Sequence, residues 1–149
     1  MLLGGILIGL LGIGIGTAFS TAGAQEVFTN RATLTKDVIK LAIVVMANQT
    51  PITPADATAI LPALQAIKAE NVIGEDKAAT LDTQLHSAFS PAIESGVKVV
   101  RLPELKPKVK SRLQKLAERR GFRNPAKYGP SSRAFDRLVE FFQQTATTK

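Results

Sequence analysis

Nine basic side chains crowd into 22 residues: Lys106, Lys108, Lys110, Arg112, Lys115, Arg119, Arg120, Arg123 and Lys127. Such a cluster makes and breaks no bonds by itself, but it can hold anions. Its natural ligands are phospholipid headgroups, anionic envelope polymers or nucleic acid. The competing reading is a solvated helix face that keeps the protein soluble. Residues 98–133 carry twelve Lys or Arg against Glu104 and Glu118, a balance of +10, whereas residues 25–97 carry five basic and eight acidic side chains, a balance of −3. Residues 134–149 are neutral, so the chain's net +7 resides in this one segment.

Other chemistry finds little footing. His86 is the single histidine and there is no cysteine. A metal site needs three or four ligands, and neither a thiolate nor a second imidazole is available to complete one, so no metal and no cofactor is expected. His86 therefore reads as a structural or surface residue on a helix. Glu75 and Asp76 are adjacent, and adjacent helical side chains point in different directions. Their place is the start of a helix, where negative charge complements the dipole. No G-x-S-x-G or S-x-x-K pattern surrounds any serine, and residues 25–149 contain no G-x-G-x-x-G or P-loop. These readings predict a protein that is not an enzyme. Nucleic acid is the weaker of the anionic ligands: Phe122 and Tyr128 are the nearby stacking rings and no DNA-binding motif frames them.

The elements that must position these residues are helical. Leu34, Val38, Leu41 and Val45 follow one helical stripe, predicting a helix over 34–48. Thr53, Pro54 and Asp56 form a capped helix start, and Ala57, Ile60, Leu61, Leu64 and Ile67 give that helix its apolar face, with Pro62 expected to bend it. Ala78, Leu81, Leu85 and Phe89 mark a third helix. Ser90-Pro91 starts a fourth that Gly96 is expected to stop, and the run around 97–102 reads as a short extended segment. A basic helix follows over 108–120, with Val109, Leu113, Leu116 and Ala117 on one face and Gly121 as its stop. "FRNPAKYGPSS" reads as a loop. A last helix over about 132–144 has Phe135, Leu138, Val139 and Phe142 as its stripe. The expected fold is all-α, a bundle of about five helices spanning 34–149 after a flexible lead-in at 25–33.

Leu2 to Ile15 contains only Leu, Ile and Gly, and small or hydroxyl residues lead to Ala22-Gly23-Ala24. An apolar core followed by an A-x-A end has the form of a secretory signal peptide over 1–24. The alternatives are a retained membrane anchor built on residues 2–19, at the lower length limit for a span, or a buried core segment. Export places the protein in the periplasm, the cell envelope or the extracellular space.

Residues 34–100 resemble small exported helical proteins of the Spy and CpxP type, with LTxxQ or LTPEQ elements at helix starts. The matching pieces are "LTKD" at Leu34–Asp37, "ITPAD" at Ile52–Asp56 and "FSPAIE" at Phe89–Glu94, with Asp, Asp and Ile-Glu where the family carries Gln. The resemblance implies an all-α exported protein with a chaperone or stress-related role and transfers no active site. The residues themselves favour a non-enzymatic envelope or extracellular interaction protein that docks on an anionic component or protein partner through residues 98–133. A nucleic-acid-binding protein using the same segment and a Spy-like holdase are the alternatives. Export predicts cleavage after Ala24, so N-terminal sequencing of native protein should read from Gln25, and recovery of intact residues 1–24 in membranes would favour the anchor.

Overall fold

Thr53 begins a helix that buries Ala57, Ile60, Ala63, Leu64 and Ile67. Its Oγ1 accepts from the Asp56 backbone N–H at 3.1 Å, and Asp56 Oδ2 accepts from the Thr53 N–H at 3.0 Å. This reciprocal cap satisfies two donors that the first helical turn leaves open. The computed structural model describes residues 29–47 and 50–148, so the apolar segment over 1–24 and the lead-in up to residue 28 lie outside the described residues.

Six α-helices form among the described residues: α1 (Thr29–Ala42), α2 (Pro54–Ala69), α3 (Glu75–Ser87), α4 (Pro91–Val99), α5 (Pro107–Arg119) and α6 (Ser132–Thr147). No strand forms there, and a single antiparallel bridge joins Val72 to Arg123. α2 packs along α6 and also touches α3, α3 lies along α1, and α1 meets α4. The fold is thus an all-α bundle, ordered α6, α2, α3, α1, α4 across its width. The expected stripes of α1, α2, α3 and α6 face its core, with Leu41, Ile60, Leu64, Leu85, Leu138 and Phe142 all fully buried, whereas the expected stripe of α5 (Val109, Leu113, Leu116 and Ala117) stays out of it.

Several local expectations are corrected by tertiary packing. α1 starts at Thr29 rather than 34, because the Glu75 carboxylate accepts from the backbone N–H groups of Asn30 (2.8 Å) and Arg31 (3.0 Å). The first turn of α1 is capped by the first residue of α3, so residues 29–33 are helix, not lead-in. α1 then widens into a π turn over Ile43–Ala47, where the single expected helix would have continued. Gly96 does not stop α4 but lies inside it. A Cβ there would come within 3.0 Å of Val44 Cγ1, so glycine permits the close approach of α4 to the π turn. The segment expected to be extended near 97–102 is helical through Val99, and irregular chain begins at Val100. α2 runs unbroken through the exposed Pro62.

The loop after α5 is fastened by Asn124, a fully buried polar residue. Its Nδ2 donates to the carbonyls of Ile67 (2.6 Å) and Glu70 (2.8 Å), and its Oδ1 accepts from the Ala126 N–H at 3.0 Å. Two of the carbonyls left open at the C-terminal end of α2 are thereby satisfied from 54 and 57 residues away. Gly121 and Phe122 both adopt positive φ (65° and 57°), which turns the chain out of α5 towards this contact.

Leu64→Ala should destabilise the protein by about 2–5 kcal/mol as a core truncation. Asn124→Ala should cost about 1–3 kcal/mol, because the carbonyls it serves lose their donor while buried. Chemical denaturation monitored by circular dichroism, with a mainly helical native spectrum, measures both; unchanged midpoints would mean that these residues do not hold the core.

Candidate functional site

Two places concentrate charge. The first is α5 with the loop that follows it. Proline at the first helical position starts α5, and a spacing of three and four residues places Lys108, Arg112, Lys115 and Arg119 on one stripe. Val109, Leu113 and Leu116 form the neighbouring stripe. The core draws on every other helix but takes no residue from α5. Leu105, Val109 and Leu113 are instead exposed, Leu113 at 50%.

The nine residues singled out by sequence divide accordingly. Lys106 stands just before the first turn of α5, without a side-chain cap; Lys108, Arg112, Lys115 and Arg119 form its basic stripe; Arg120 follows its last turn. Lys110 lies off that stripe and partly buried, which lowers it against the pull of Glu104, and its ammonium group disfavours the charge of Lys36 on α1. Burial, Lys110 and Lys40 together lower Lys36 to about 7, against the opposing pull of Glu104 and Asp37. Arg123 and Lys127 are tied into the loop instead. Their cationic groups lie 5.5 and 5.9 Å from the centre of the Tyr128 ring, and Lys127 Nζ donates to Asn71 Oδ1 at 2.7 Å. Among the described residues, no direct ion pair joins any of the nine to a carboxylate. Phe122, a candidate stacking ring, is covered by the Arg31 guanidinium at 4.6 Å.

The second place was not legible in the sequence. His86, on the last turn of α3, is surrounded by carboxylates from three helices. Its Nε2 lies 2.8 Å from Asp37 Oδ2 of α1 and 3.9 Å from Asp82 Oδ1 one turn earlier on α3, and its Nδ1 lies 3.1 Å from Glu94 Oε2 of α4. The Phe89 ring meets the imidazole edge-on at 5.0 Å. Asp37 is buried, and Asp82 Oδ1 is shut off from water without a hydrogen-bond partner. Only the i, i+4 relation of Asp82 to His86 was available to sequence reasoning; Asp37 is 49 residues away.

The electrostatics follow from this crowding. Hydrogen bonding to Asp37 raises His86 to about 9 against the opposing effect of burial, and Glu94 adds to the rise. Burial, with the negative charge of Asp37, raises Asp82 to about 7. In neutral water the imidazole is therefore a cation flanked by Asp37 and Glu94. An open apolar depression of about 370 Å³, lined by Val45, Met46, Thr50 and Phe141, brings no titratable group to its walls. Among the described residues, no helix is long and apolar enough to cross a membrane. The chain matches no protein-family model, no curated protein and no solved structure.

The titration has a fixed sign. His86 binds its proton more tightly folded than unfolded, so its contribution is complete below its ordinary value of 6.5 and disappears as pH climbs towards 9. Asp82, also raised, acts in the same direction over the lower window, from 3.8 to about 7. With a chelator in the buffer, stability should fall on the order of 2 kcal/mol between pH 6.5 and 9. His86→Gln should flatten this upper limb. A denaturation midpoint independent of pH in the wild type would show that His86 holds no such charge.

Proposed function

We propose that this is an exported, non-enzymatic envelope protein that docks on anionic lipid surfaces through α5. The observation that carries the reading is the pairing of two stripes on one helix. Lys108, Arg112, Lys115 and Arg119 run beside Val109 and Leu113, and the bundle leaves both sets uncovered. A helix lying in a membrane interface needs both features, cations for the headgroups and an apolar face for the acyl boundary. A polymer or nucleic-acid ligand would use the cations but has no use for the apolar stripe. The covered ring of Phe122 further weakens the nucleic-acid reading. Export rests on the apolar segment over 1–24, and a Spy-like holdase role rests only on the helix-start resemblance, so neither selects the ligand.

Each surface-near Lys or Arg adds about 1 kcal/mol against anionic lipid. Replacing Lys108, Arg112, Lys115 and Arg119 with Gln should therefore weaken binding of the chain from Gln25 to phosphatidylglycerol vesicles at least ~10-fold, measured by co-sedimentation. Wild-type binding should decline with added salt, since exposed charges are screened over about 8 Å at physiological ionic strength. Val109→Ser with Leu113→Ser should also weaken vesicle binding, while leaving the salt dependence nearly intact. Tighter binding to duplex DNA than to vesicles at matched salt, indifferent to the two serines, would transfer the assignment to nucleic acid. No binding to either at low salt would leave α5 as a solvated face.

A further inference from the structure

We propose that Asp37, Asp82 and His86 form a binding site for one divalent transition-metal ion of the zinc class, with Glu94 orienting the histidine. The donor atoms already converge: His86 and the two aspartates each offer one ligand atom, and all three lie within 4.8 Å of one another. An ion bonded to imidazole nitrogen and carboxylate oxygens at about 2.0–2.2 Å sits within such a triangle after small side-chain adjustments. Three features go beyond a crowd of acids.

The first is the orphaned atom. Asp82 Oδ1 is removed from water, has no hydrogen-bond partner, and lies 3.9 Å from Nε2 of His86. A buried acceptor without a donor is costly, and a cation bonded to it removes that cost. The second is the division of labour on the imidazole. Nε2 meets Asp37 and Asp82, whereas Nδ1 meets Glu94 at 3.1 Å. Metal-binding histidines characteristically donate their second ring N–H to a carboxylate, which fixes the tautomer and ring orientation. The third is the excess of acid: three carboxylates surround one imidazole. A bound ion replaces the proton on Nε2, which leaves to solvent, and adds positive charge where the carboxylates outnumber the cation.

The donor set selects the ion. One imidazole with two carboxylates suits zinc and its neighbours, whereas calcium and magnesium favour oxygen-only shells. Three protein donors leave the fourth position open, and the imidazole's remaining exposure, 31%, gives an ion a route in. Because the ligands come from α1 and α3, loading the site would clamp these two helices together.

Titration of the full-length protein with Zn²⁺ by calorimetry, and with Co²⁺ by visible absorption, tests the assignment. One ion per chain should bind, with a visible band characteristic of low-coordinate cobalt. His86→Gln should abolish it. Because that variant also removes an inter-helix contact, Asp82→Asn is the decisive one: the amide keeps the shape of the carboxyl, and Asp82 Oδ1 has no hydrogen bond to lose, so the helical fold should persist while affinity falls at least 10-fold. Glu94→Gln should weaken binding by about 10-fold or more through the orienting contact. Mg²⁺ at the same concentration should not compete. Failure of the wild type to bind either ion saturably overturns the proposal, as does equal affinity in the folded Asp82→Asn protein.

Discussion

A cation and its counter-charges can leave bulk water only together, and the meeting of His86 with Asp37 and Glu94 is where this constraint shapes the bundle. Desolvating one carboxylate alone would be costly; desolvating Asp37 against an imidazole fixes α1 on α3, and the Glu94 contact adds α4. Apolar packing alone would tolerate some sliding between these helices. Paired hydrogen bonds at 2.8 and 3.1 Å do not, because a small displacement breaks them while the groups stay partly buried. The close approach at Gly96, where α4 reaches Val44, is consistent with this fixed arrangement.

Elsewhere the polar groups at helix ends are satisfied from a distance. Glu75 serves the start of α1 from the start of α3, and Asn124 serves the end of α2 from the loop beyond α5. Arg31 reinforces the first of these, its Nε donating to the Ile73 carbonyl at 2.7 Å while its guanidinium covers Phe122. The consequence for α5 is direct. Its C-terminal exit is anchored by Asn124 and the Val72–Arg123 bridge, yet its own residues stay out of the core. A helix tethered to a bundle while presenting an uncovered amphipathic surface is well placed to meet an external partner.

The two charged places also differ in kind. Along the basic stripe of α5 the side chains stand in water, where their attraction to a partner is long-ranged and sensitive to salt. Around His86 the charges are few and partly dry, so salt screens them weakly and protonation or a bound cation governs them. One suits encounter with a charged surface, the other suits holding helices in register.

What the sequence determined by itself is the local part. The Thr53–Asp56 cap, the proline starts of α2 and α4, and the apolar stripes of α2, α3 and α6 were all legible, because each depends on residues close together on one helix. The crowding of positive charge into residues 98–133 was equally plain, since it is a matter of composition. The tertiary structure alone decided the rest. That α1 begins at Thr29 depends on Glu75, 44 to 45 residues away. That Gly96 is a packing residue and not a stop depends on Val44, and that an ordinary loop asparagine is a buried cap depends on carbonyls of α2. His86 looked solitary because no sequence pattern announces a carboxylate 49 residues off; only the packing of α1 on α3 and of α4 on α1 brings Asp37 and Glu94 to the imidazole that Asp82 adjoins on its own helix, and the chemistry of that site exists only once those helices are in place.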